Sequence, residues 1–451
     1  MGISCSRADG RTKATSFQDD TLKNKLCRRL ELGDGESAHG VISVSNRWTE
    51  YLPDDLIEML MKRLSLIDSL KFSTVCTSWR RASSKWCQRA TLFPWILKRV
   101  RSVDSATALC SLYSPSEDSV YNFTFSKTTA DPSYYMMFVG CIDGYLIMSE
   151  HKWRKSPSAY GWSINYLLNT ITGARIMLPP SNEVPMISAA SSNPRSSGCI
   201  VATILTPRTY KLAFCRPGDK SWTYQSGPKY RIHFHELQFH KDGKLYAFAN
   251  GGYGVQYLVV FDPLEVFSKA KSQIYVGKQF EVGSLIERHK NLYGLETYPY
   301  FMITSEGEIL LIWDRYFGSA KYPDRYLQNP DAPFGVFKLD VGSEPELTET
   351  TLEDQTIFIS ANSFSRLNRD ISIPLSKLTS SVSTVLKDKA FNGLGGGNCI
   401  YYATNTTGHL LIGIYNLADG KTDYFSANNY IDGNNDARER VNGQSWFPIV
   451  S

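Results

Sequence analysis

Short apolar runs separated by turn residues fill most of the chain and limit what it can fold into. From about residue 110 onward, runs rich in β-branched and aromatic residues alternate with Gly, Pro, Asn and Asp. This pattern is typical of short β-strands joined by tight turns. The strongest runs are YNFTF, GYLIMS, CIVATIL, KLAFC, KLYAFA, YLVVFD, EILLIW, GVFKLD, TIFIS, NCIYYAT and HLLIGIYNL. Residues 110–451 are therefore predicted to form one large all-β domain.

A loose repeat runs through these strands. An Asp-Gly or Glu-Gly turn is followed by an apolar strand, and later by a strand that ends in Asn or Asp. Copies begin at DGYLIM (143–148), DGKLYAF (242–248), EGEILLI (306–312) and GHLLIGIYNLADGKTDYF (408–425). A kelch-like blade takes about 50 residues, so about 340 residues would form about six or seven blades. The repeat favours a kelch-like β-propeller, and a β-sandwich or a pair of barrels is the alternative.

A helical pattern precedes the strands, over residues 48–88. Pro53 suits a first helical turn, and the Asp residues after it favour the positive end of the helix dipole. One apolar stripe follows, made of Leu56, Ile57, Leu60, Met61 and Leu64. Three short helices cannot bury all of this apolar surface among themselves. The stripe either packs on the β-domain or is covered by a partner protein.

The remaining segments complete an α+β organisation, in which a small all-α module is followed by the large all-β domain. Residues 1–47 are rich in Ser, Thr, Gly and charged residues and show no apolar period, which predicts a flexible leader. Residues 89–109 are predicted to form a linker helix between the two domains.

The first residues, MGISCSR, match an acylation pattern. Gly2 follows Met1 and Ser6 occupies the hydroxyl position, so Gly2 is the candidate myristoylation site and Cys5 a candidate palmitoylation site. Residues 1–30 hold seven Lys and Arg against three Asp, a basic excess that favours an anionic membrane surface. We expect a cytoplasmic or nuclear protein that associates with the plasma membrane if Gly2 and Cys5 are acylated. The alternative is a chance match in a leader whose basic residues help nuclear import.

Composition argues against several other classes of protein. The net charge is +5, and because most of it lies in the leader, the body of the chain lacks the basic surface that nucleic-acid binding requires. The nine cysteines are scattered without a C-x-x-C spacing, which predicts reduced thiols in an intracellular protein and no structural zinc.

No motif indicates catalysis, a metal or a cofactor. The cluster HFHELQFH (233–240) places His240 one residue too late for the H-E-x-x-H spacing of zinc proteases, so we expect it to serve blade packing. The stretch GLGGGN (393–398) lacks the Lys-Ser or Lys-Thr of a phosphate loop, and no G-x-S-x-G occurs. The chain is therefore predicted not to be an enzyme.

Residues 48–88 resemble an F-box. The order of Leu-Pro, apolar helix, Val-Cys and Trp-Arg is carried by Leu52, Pro53, Leu56, Ile57, Leu60, Leu64, Leu70, Val75, Cys76, Trp79 and Arg80. The rest of the chain resembles the plant F-box family that has a C-terminal kelch-like domain of unknown function (number 295). That resemblance rests on FPWIL, CIDGYLIM, LLNTITGARIMLPP, LAFCRPGDKSW, LEDQTIFIS and NCIYY.

The resemblance implies a function. An F-box binds a Skp-type adaptor and, through it, the cullin of a ubiquitin ligase, while the β-domain would bind an unknown target protein. The residues implied in adaptor binding are Leu52, Pro53, Leu56, Ile57, Leu60, Leu64, Val75, Cys76 and Trp79. The target would contact loops such as 150–162, 179–198 and 314–332. The alternatives are a scaffold or inhibitor that works outside a ligase and, third, a propeller enzyme.

Overall fold

The chain divides into two units. A computed structural model describes residues 3–5, most of 53–81, and 95–447 with gaps, the longest of which are 153–161, 315–333, 361–370, 375–397 and 428–444. The first unit comprises Met1–Thr91 with Ser451, and the second comprises Leu92–Val450. No helix among the described residues has the length and apolar character needed to cross a membrane.

In the first unit, the described elements are strand β1 (Ile3–Cys5) and helix α1 (Asp54–Met61). Helix α1 begins where the sequence predicts, because the carbonyl of Pro53 accepts the N–H groups of Leu56 and Ile57 at 3.0 and 3.1 Å. Proline is well suited to this place since its fixed φ is already helical and its missing N–H would have no partner in the first turn.

The second unit is a six-bladed β-propeller. Blade 1 has the order β4-β3-β2-β26 and contains β2 (Trp95–Ser102), β3 (Thr107–Ser114), β4 (Ser119–Ser126) and β26 (Ser445–Phe447). Blade 2 contains β5 (Tyr134–Ile142), β6 (Tyr145–Lys152), β7 (Ser163–Asn169) and β8 (Arg175–Met177). Blade 3 contains β9 (Val184–Ala190), β10 (Val201–Thr206), β11 (Lys211–Cys215) and β12 (Thr223–Gln225).

The second half of the propeller has the same plan until its last blade. Blade 4 contains β13 (His233–Phe239), β14 (Leu245–Asn250), β15 (Gln256–Phe261) and β16 (Lys278–Glu281). Blade 5 contains β17 (Tyr300–Ile303), β18 (Ile309–Asp314), β19 (Phe334–Asp340) and β20 (Glu346–Glu349). Blade 6 has the order β22-β21-β23-β24-β25, with β21 (Gln355–Ser360), β22 (Ile371–Pro374), β23 (Cys399–Thr406), β24 (His409–Asn416) and β25 (Thr422–Ala427). Strands β21 and β23 are parallel, whereas the other ladders between described strands of the propeller are antiparallel.

The predicted turns lie where the repeat placed them. Asp143 and Gly144 have φ angles of 42° and 76° between β5 and β6, the pair of left-handed conformations that a two-residue hairpin of type I′ requires. At the other two turns only the glycines, Gly243 and Gly307, have a positive φ, of 82° and 88°, and the preceding Asp242 and Glu306 do not. The Asp-Gly and Glu-Gly signals of the sequence therefore mark real hairpins, and the prediction of a propeller is confirmed.

The linker helix predicted over 89–109 is wrong. Residues 95–102 form strand β2, and Trp95, Ile96 and Leu97 are buried within blade 1. Three consecutive apolar residues fit a buried strand as well as a helix. Pairing decides between the two, because β2 bonds to β3 on one side and to β26 on the other. The propeller therefore begins at least fifteen residues earlier than the predicted residue 110, with β2 at Trp95.

The core is distributed between blades. Among the described residues, separate apolar clusters join blades 2 and 3, blades 3 and 4, blades 4 and 5, and blades 5 and 6. Helices α2 (Pro263–Lys269) and α3 (Gly283–Tyr293) follow β15 and β16, and each is anchored by a buried aliphatic residue, Val266 and Ile286. Blades 2 to 6 are thus packed on one another through these clusters.

Candidate functional site

Helix α1 has a buried face and an exposed face that are both apolar. Ile57 and Met61, one turn apart, are fully buried. Leu56, Met59 and Leu60 are instead between 41% and 54% exposed. A short helix with apolar residues on both faces has more apolar surface than the unit itself covers, which is a property of partner-binding elements.

A second exposed apolar position follows in the 72–81 segment. Val75 is 52% exposed, and its N–H bonds to the carbonyl of Phe72 at 3.1 Å. Phe72 also stacks on Trp79, with ring centroids 4.0 Å apart and planes within 13°. The N–H of Trp79 lies 3.5 Å from the Sγ of Cys76. Together these contacts hold a compact turn that presents Val75 outward.

We name Leu56, Met59, Leu60 and Val75 the exposed apolar set. Three of its members belong to the predicted adaptor-binding residues, and Pro53 is exposed beside them. Leu64, Cys76 and Trp79 are half-buried. Leu52 lies outside the described residues. The set is available for contact with a partner, as the F-box resemblance implies.

Ile57 needs a correction. The F-box resemblance implies that Ile57 contacts the adaptor, whereas the structure shows that its side chain is fully buried on the inner face of α1. Successive residues of an α-helix are rotated by about 100° around its axis. Leu56 and Ile57 are adjacent and therefore face different sides, whereas Leu60, four residues after Leu56, lies on the side of Leu56. Met59 was not predicted, although its position three residues after Leu56 places it beside that residue on the helix.

The HFHELQFH cluster joins two blades. Glu236 Oε2 accepts the N–H of Phe301 at 2.9 Å. Gln238 Oε1 accepts the N–H of Ile303 at 2.6 Å, and its Nε2 donates to the Ile303 carbonyl at 3.3 Å. These side chains of β13 hydrogen bond to backbone groups of β17 in the neighbouring blade. The expectation that this segment serves blade packing is confirmed for Glu236 and Gln238.

His240 takes part in the same contact between blades 4 and 5. Its Nε2 lies 3.0 Å from the carbonyl oxygen of Gly307, and the N–H of Asp242 lies 3.1 Å from its Nδ1. Among the described residues, no group of three or more His, Cys, Asp and Glu side chains is placed to hold a metal ion.

Among the described residues of the propeller, Glu150 is a buried carboxylate and therefore a candidate for a catalytic acid. It is fully buried, and it accepts the hydroxyl of Tyr166 at 2.7 Å and the N–H of Thr128 at 3.0 Å. Burial raises the pKa of Tyr166, and the adjacent Glu150 raises it further. Arg175 lies over the Tyr166 ring at 4.8 Å. With its oxygens bonded and no exposure to solvent, Glu150 has a structural role at the start of blade 2.

Comparison with protein families agrees with the geometry of both units. The F-box domain family matches residues 50–87, and the KIB1-4 beta-propeller family matches residues 112–416. F-box/kelch-repeat protein At3g18720 of Arabidopsis thaliana is 24% identical over 233 residues, which cover 48% of this chain and 54% of that protein. F-box protein At1g49360 of the same plant is 25% identical over 228 residues, covering 47% of this chain and 43% of that protein.

The chain spans about half the length of the curated relatives it matches. The propeller match nevertheless covers more than half of the chain, and the F-box match coincides with α1 and the exposed apolar set. The resemblance to plant F-box proteins with a kelch-like domain is thereby confirmed. The chain belongs to the KIB1-4 beta-propeller family and carries an F-box domain before the propeller.

Proposed function

We propose that the chain is the substrate-recognition subunit of a Skp–cullin–F-box ubiquitin ligase. The F-box binds a Skp-type adaptor and, through it, a cullin, while the propeller binds the target protein. The observation that carries the proposal is the exposed apolar set, which coincides with the F-box match. Fully burying one exposed Leu, Met or Val side chain stabilises a complex by about 1.5–3 kcal/mol, and since these four are about half-exposed, each contributes a part of that amount.

The chain itself is non-catalytic in this proposal. Its contribution is proximity, because a bound target lysine is held near a ubiquitin carrier and reacts at a high effective concentration. The similarity to F-box proteins supports this non-catalytic role.

Reconstitution tests the proposal. The purified full chain is mixed with a Skp-type adaptor and a cullin, and assembly is measured by size-exclusion chromatography for wild type, Leu56→Asp and Leu264→Asp. Leu264 is a matched control, since it is an exposed leucine on α2 of the propeller. Wild type and Leu264→Asp are expected to form the three-protein complex, and Leu56→Asp is expected to elute alone.

Two results would contradict the proposal. If wild type binds neither adaptor nor cullin, the F-box does not serve a ligase. If wild type binds the adaptor but excludes the cullin, the chain works as the scaffold or inhibitor that the sequence left open.

We also propose that the chain is anchored to the plasma membrane through acylation of Gly2 and Cys5. The support is the sequence MGISCSR and the basic residues that follow it. One myristoyl chain binds membranes only marginally, so palmitoylation of Cys5 or the basic leader supplies the second signal. Gly2 lies outside the described residues, and Cys5 is the last residue of β1.

A fluorescent fusion in plant cells tests the anchor. Gly2→Ala is expected to release the fusion from the plasma membrane, and Cys5→Ser is expected to leave it on internal membranes. A wild-type fusion that is diffuse and takes up no labelled myristate would contradict the proposal.

A further inference from the structure

The guanidinium of Arg175 is fixed at the boundary between blades 1 and 2. Arg175 is the first residue of β8, the outer strand of blade 2. The centre of its guanidinium lies 4.8 Å from the centroid of the Tyr166 ring and 5.7 Å from that of Phe125, which belongs to β4 of blade 1. Its Nη1 donates to Oγ1 of Thr128 at 3.0 Å. Two aromatic rings and one hydrogen bond therefore determine where this positive charge lies.

The residues that hold Arg175 are themselves firmly bonded. The Tyr166 hydroxyl donates to Glu150 at 2.7 Å, and the N–H of Thr128 donates to the same carboxylate at 3.0 Å. Tyr166 and Glu150 are fully buried, and Phe125 is 5% exposed. An arginine ordered by such surroundings loses little conformational entropy when it binds a ligand, which favours affinity.

Most of the hydrogen-bonding capacity of Arg175 remains unused. A guanidinium has five N–H donors, and the bond to Thr128 uses one of them. Both oxygens of Glu150 already accept bonds from other residues, and Arg175 forms no ion pair with any described carboxylate. Lys152 of the same blade differs, since it pairs with Asp131 at 2.8 Å. Arg175 is thus a fixed cation with donors left for an anion.

A ligand can reach this place from solvent. Arg175 is half-buried and Thr128 is exposed. Met177, two residues after Arg175, lies on the same face of β8 and is 46% exposed. An anionic group that contacts the guanidinium would therefore have an apolar side chain beside it. In such partly apolar surroundings a charge-assisted hydrogen bond is stronger than in water.

Two neighbouring connections that lie outside the described residues carry charges as well. Residues 153–161, between β6 and β7, include two basic residues and no acidic one. Glu117 and Asp118 directly precede β4. Phe125 lies near the other end of that strand, about 20 Å away, because a strand rises about 3.3 Å per residue. Charge complementarity at Arg175 therefore favours an anionic ligand.

We propose that Arg175 binds an anionic side chain of the target protein, a carboxylate or a phosphorylated residue, at the boundary between blades 1 and 2. The inference rests on the proposed function and names the chemistry by which the receptor recognises its target. The planar guanidinium matches two oxygens of a carboxylate or a phosphate. Arginine is enriched among the residues that contribute most to interfaces, and Met177 supplies an apolar contact beside it.

A peptide array tests the site without knowledge of the target. Random peptides are synthesised in matched sets that carry Glu, phosphoserine, Gln or Ser at one central position, and the purified full chain is applied to them. The best anionic binder and its uncharged counterpart are then titrated against wild type, Arg175→Gln, Arg175→Lys and Lys338→Gln. Lys338→Gln is the matched control, since it removes one positive charge from an exposed residue of blade 5.

Wild type and Lys338→Gln are expected to bind the anionic peptide at least about tenfold more tightly than its uncharged counterpart, the effect of one charge-assisted contact. Arg175→Gln is expected to lose this preference. Arg175→Lys is expected to fall between them, because it keeps the charge but not the planar pair of donors. The stronger of the Glu and phosphoserine peptides identifies the anion that the site prefers.

Three results would overturn the inference. Wild type could show no preference for anionic peptides, Arg175→Gln could keep the preference, or Lys338→Gln could lose it as fully as Arg175→Gln does. Thermal unfolding shows whether each variant is folded. If Arg175→Gln does not fold, the Lys variant decides, because it keeps a positive charge near the buried Glu150, and an undiminished preference in that variant would overturn the role of the guanidinium.

Adaptor binding is measured on the same proteins, and all of them are expected to retain it. Loss of adaptor binding by wild type contradicts the ligase proposal, whereas loss of the anion preference alone contradicts this inference and leaves the ligase proposal standing.

Discussion

Adjacent apolar residues of helix α1 have different tasks. Ile57 is fully buried, whereas its neighbour Leu56 is 41% exposed. We predict that Ile57→Ala destabilises the first unit by about 2–5 kcal/mol, the usual cost of truncating a buried aliphatic side chain. Leu56→Ala is expected to change stability little and to weaken adaptor binding instead. Hydrogen exchange of the α1 amides and adaptor affinity, measured on both variants, separate the two roles. If Leu56→Ala lowered the stability and Ile57→Ala weakened only adaptor binding, the roles assigned to these two residues would be contradicted.

The cysteines of the propeller are predicted to be unreactive in the folded protein. Burial raises the pKa of Cys110 to about 12 and the pKa of Cys399 to about 11. Because the thiolate is the reactive form, both are expected to resist maleimide near pH 8, while half-buried Cys76 reacts faster. Peptide mapping by mass spectrometry after short labelling measures this, with unfolded protein as the control. Equal labelling of Cys76 and Cys399 before unfolding would contradict it.

Among the elements, β13 joins blades 4 and 5 through a side chain. Gln238 makes two hydrogen bonds to the backbone of Ile303. Gln238→Leu should leave both groups of Ile303 without this partner and destabilise the propeller by about 1–3 kcal/mol. Gln238→Glu keeps an acceptor for the N–H and is expected to fall between Leu and wild type. Denaturant unfolding measures the order, and a Leu variant as stable as wild type would show that the bonds contribute nothing.

Most strands could be predicted from the sequence because their signals are local. Asp143-Gly144 marks a hairpin and the apolar run after it marks β6, with no need of distant information. Strand β2 differs, since its partner β26 begins at Ser445, far along the chain. A segment whose pairing is so distant has no local feature that distinguishes it from a helix. The role of Gln238 was missed in its detail for the same reason, as Ile303 belongs to another blade.

For the whole molecule, closure of the ring rests on a short strand. β26 pairs with β2, with Trp446 opposite Ile96, so the end of the chain completes the first blade. The sequence predicted about six or seven blades from repeat length, and it could not show that blade 1 borrows a strand from the other end. Nor could it divide the F-box stripe into buried and exposed residues, which depends on packing within the first unit.

Deleting residues 441–451 removes β26 and is predicted to destabilise the entire propeller. An opened ring exposes a strand edge of blade 1, which also favours aggregation. Deleting only 448–451 keeps β26 and is the matched control. Thermal unfolding and light scattering are expected to show a lower midpoint and more aggregation for the longer deletion alone. Equal behaviour of the two deletions would mean that β26 does not close the ring.

The central claim is that the exposed apolar set docks the chain onto a Skp-type adaptor. Isothermal titration calorimetry of the purified full chain with the adaptor tests it most directly, using wild type, Leu56→Asp with Val75→Asp, and Leu264→Asp. We predict saturable binding with one adaptor per chain for wild type and Leu264→Asp, with a negative heat-capacity change from burial of apolar surface. The double variant is predicted to show no binding while its circular dichroism spectrum matches that of wild type. Wild-type affinity in a folded double variant would contradict the account.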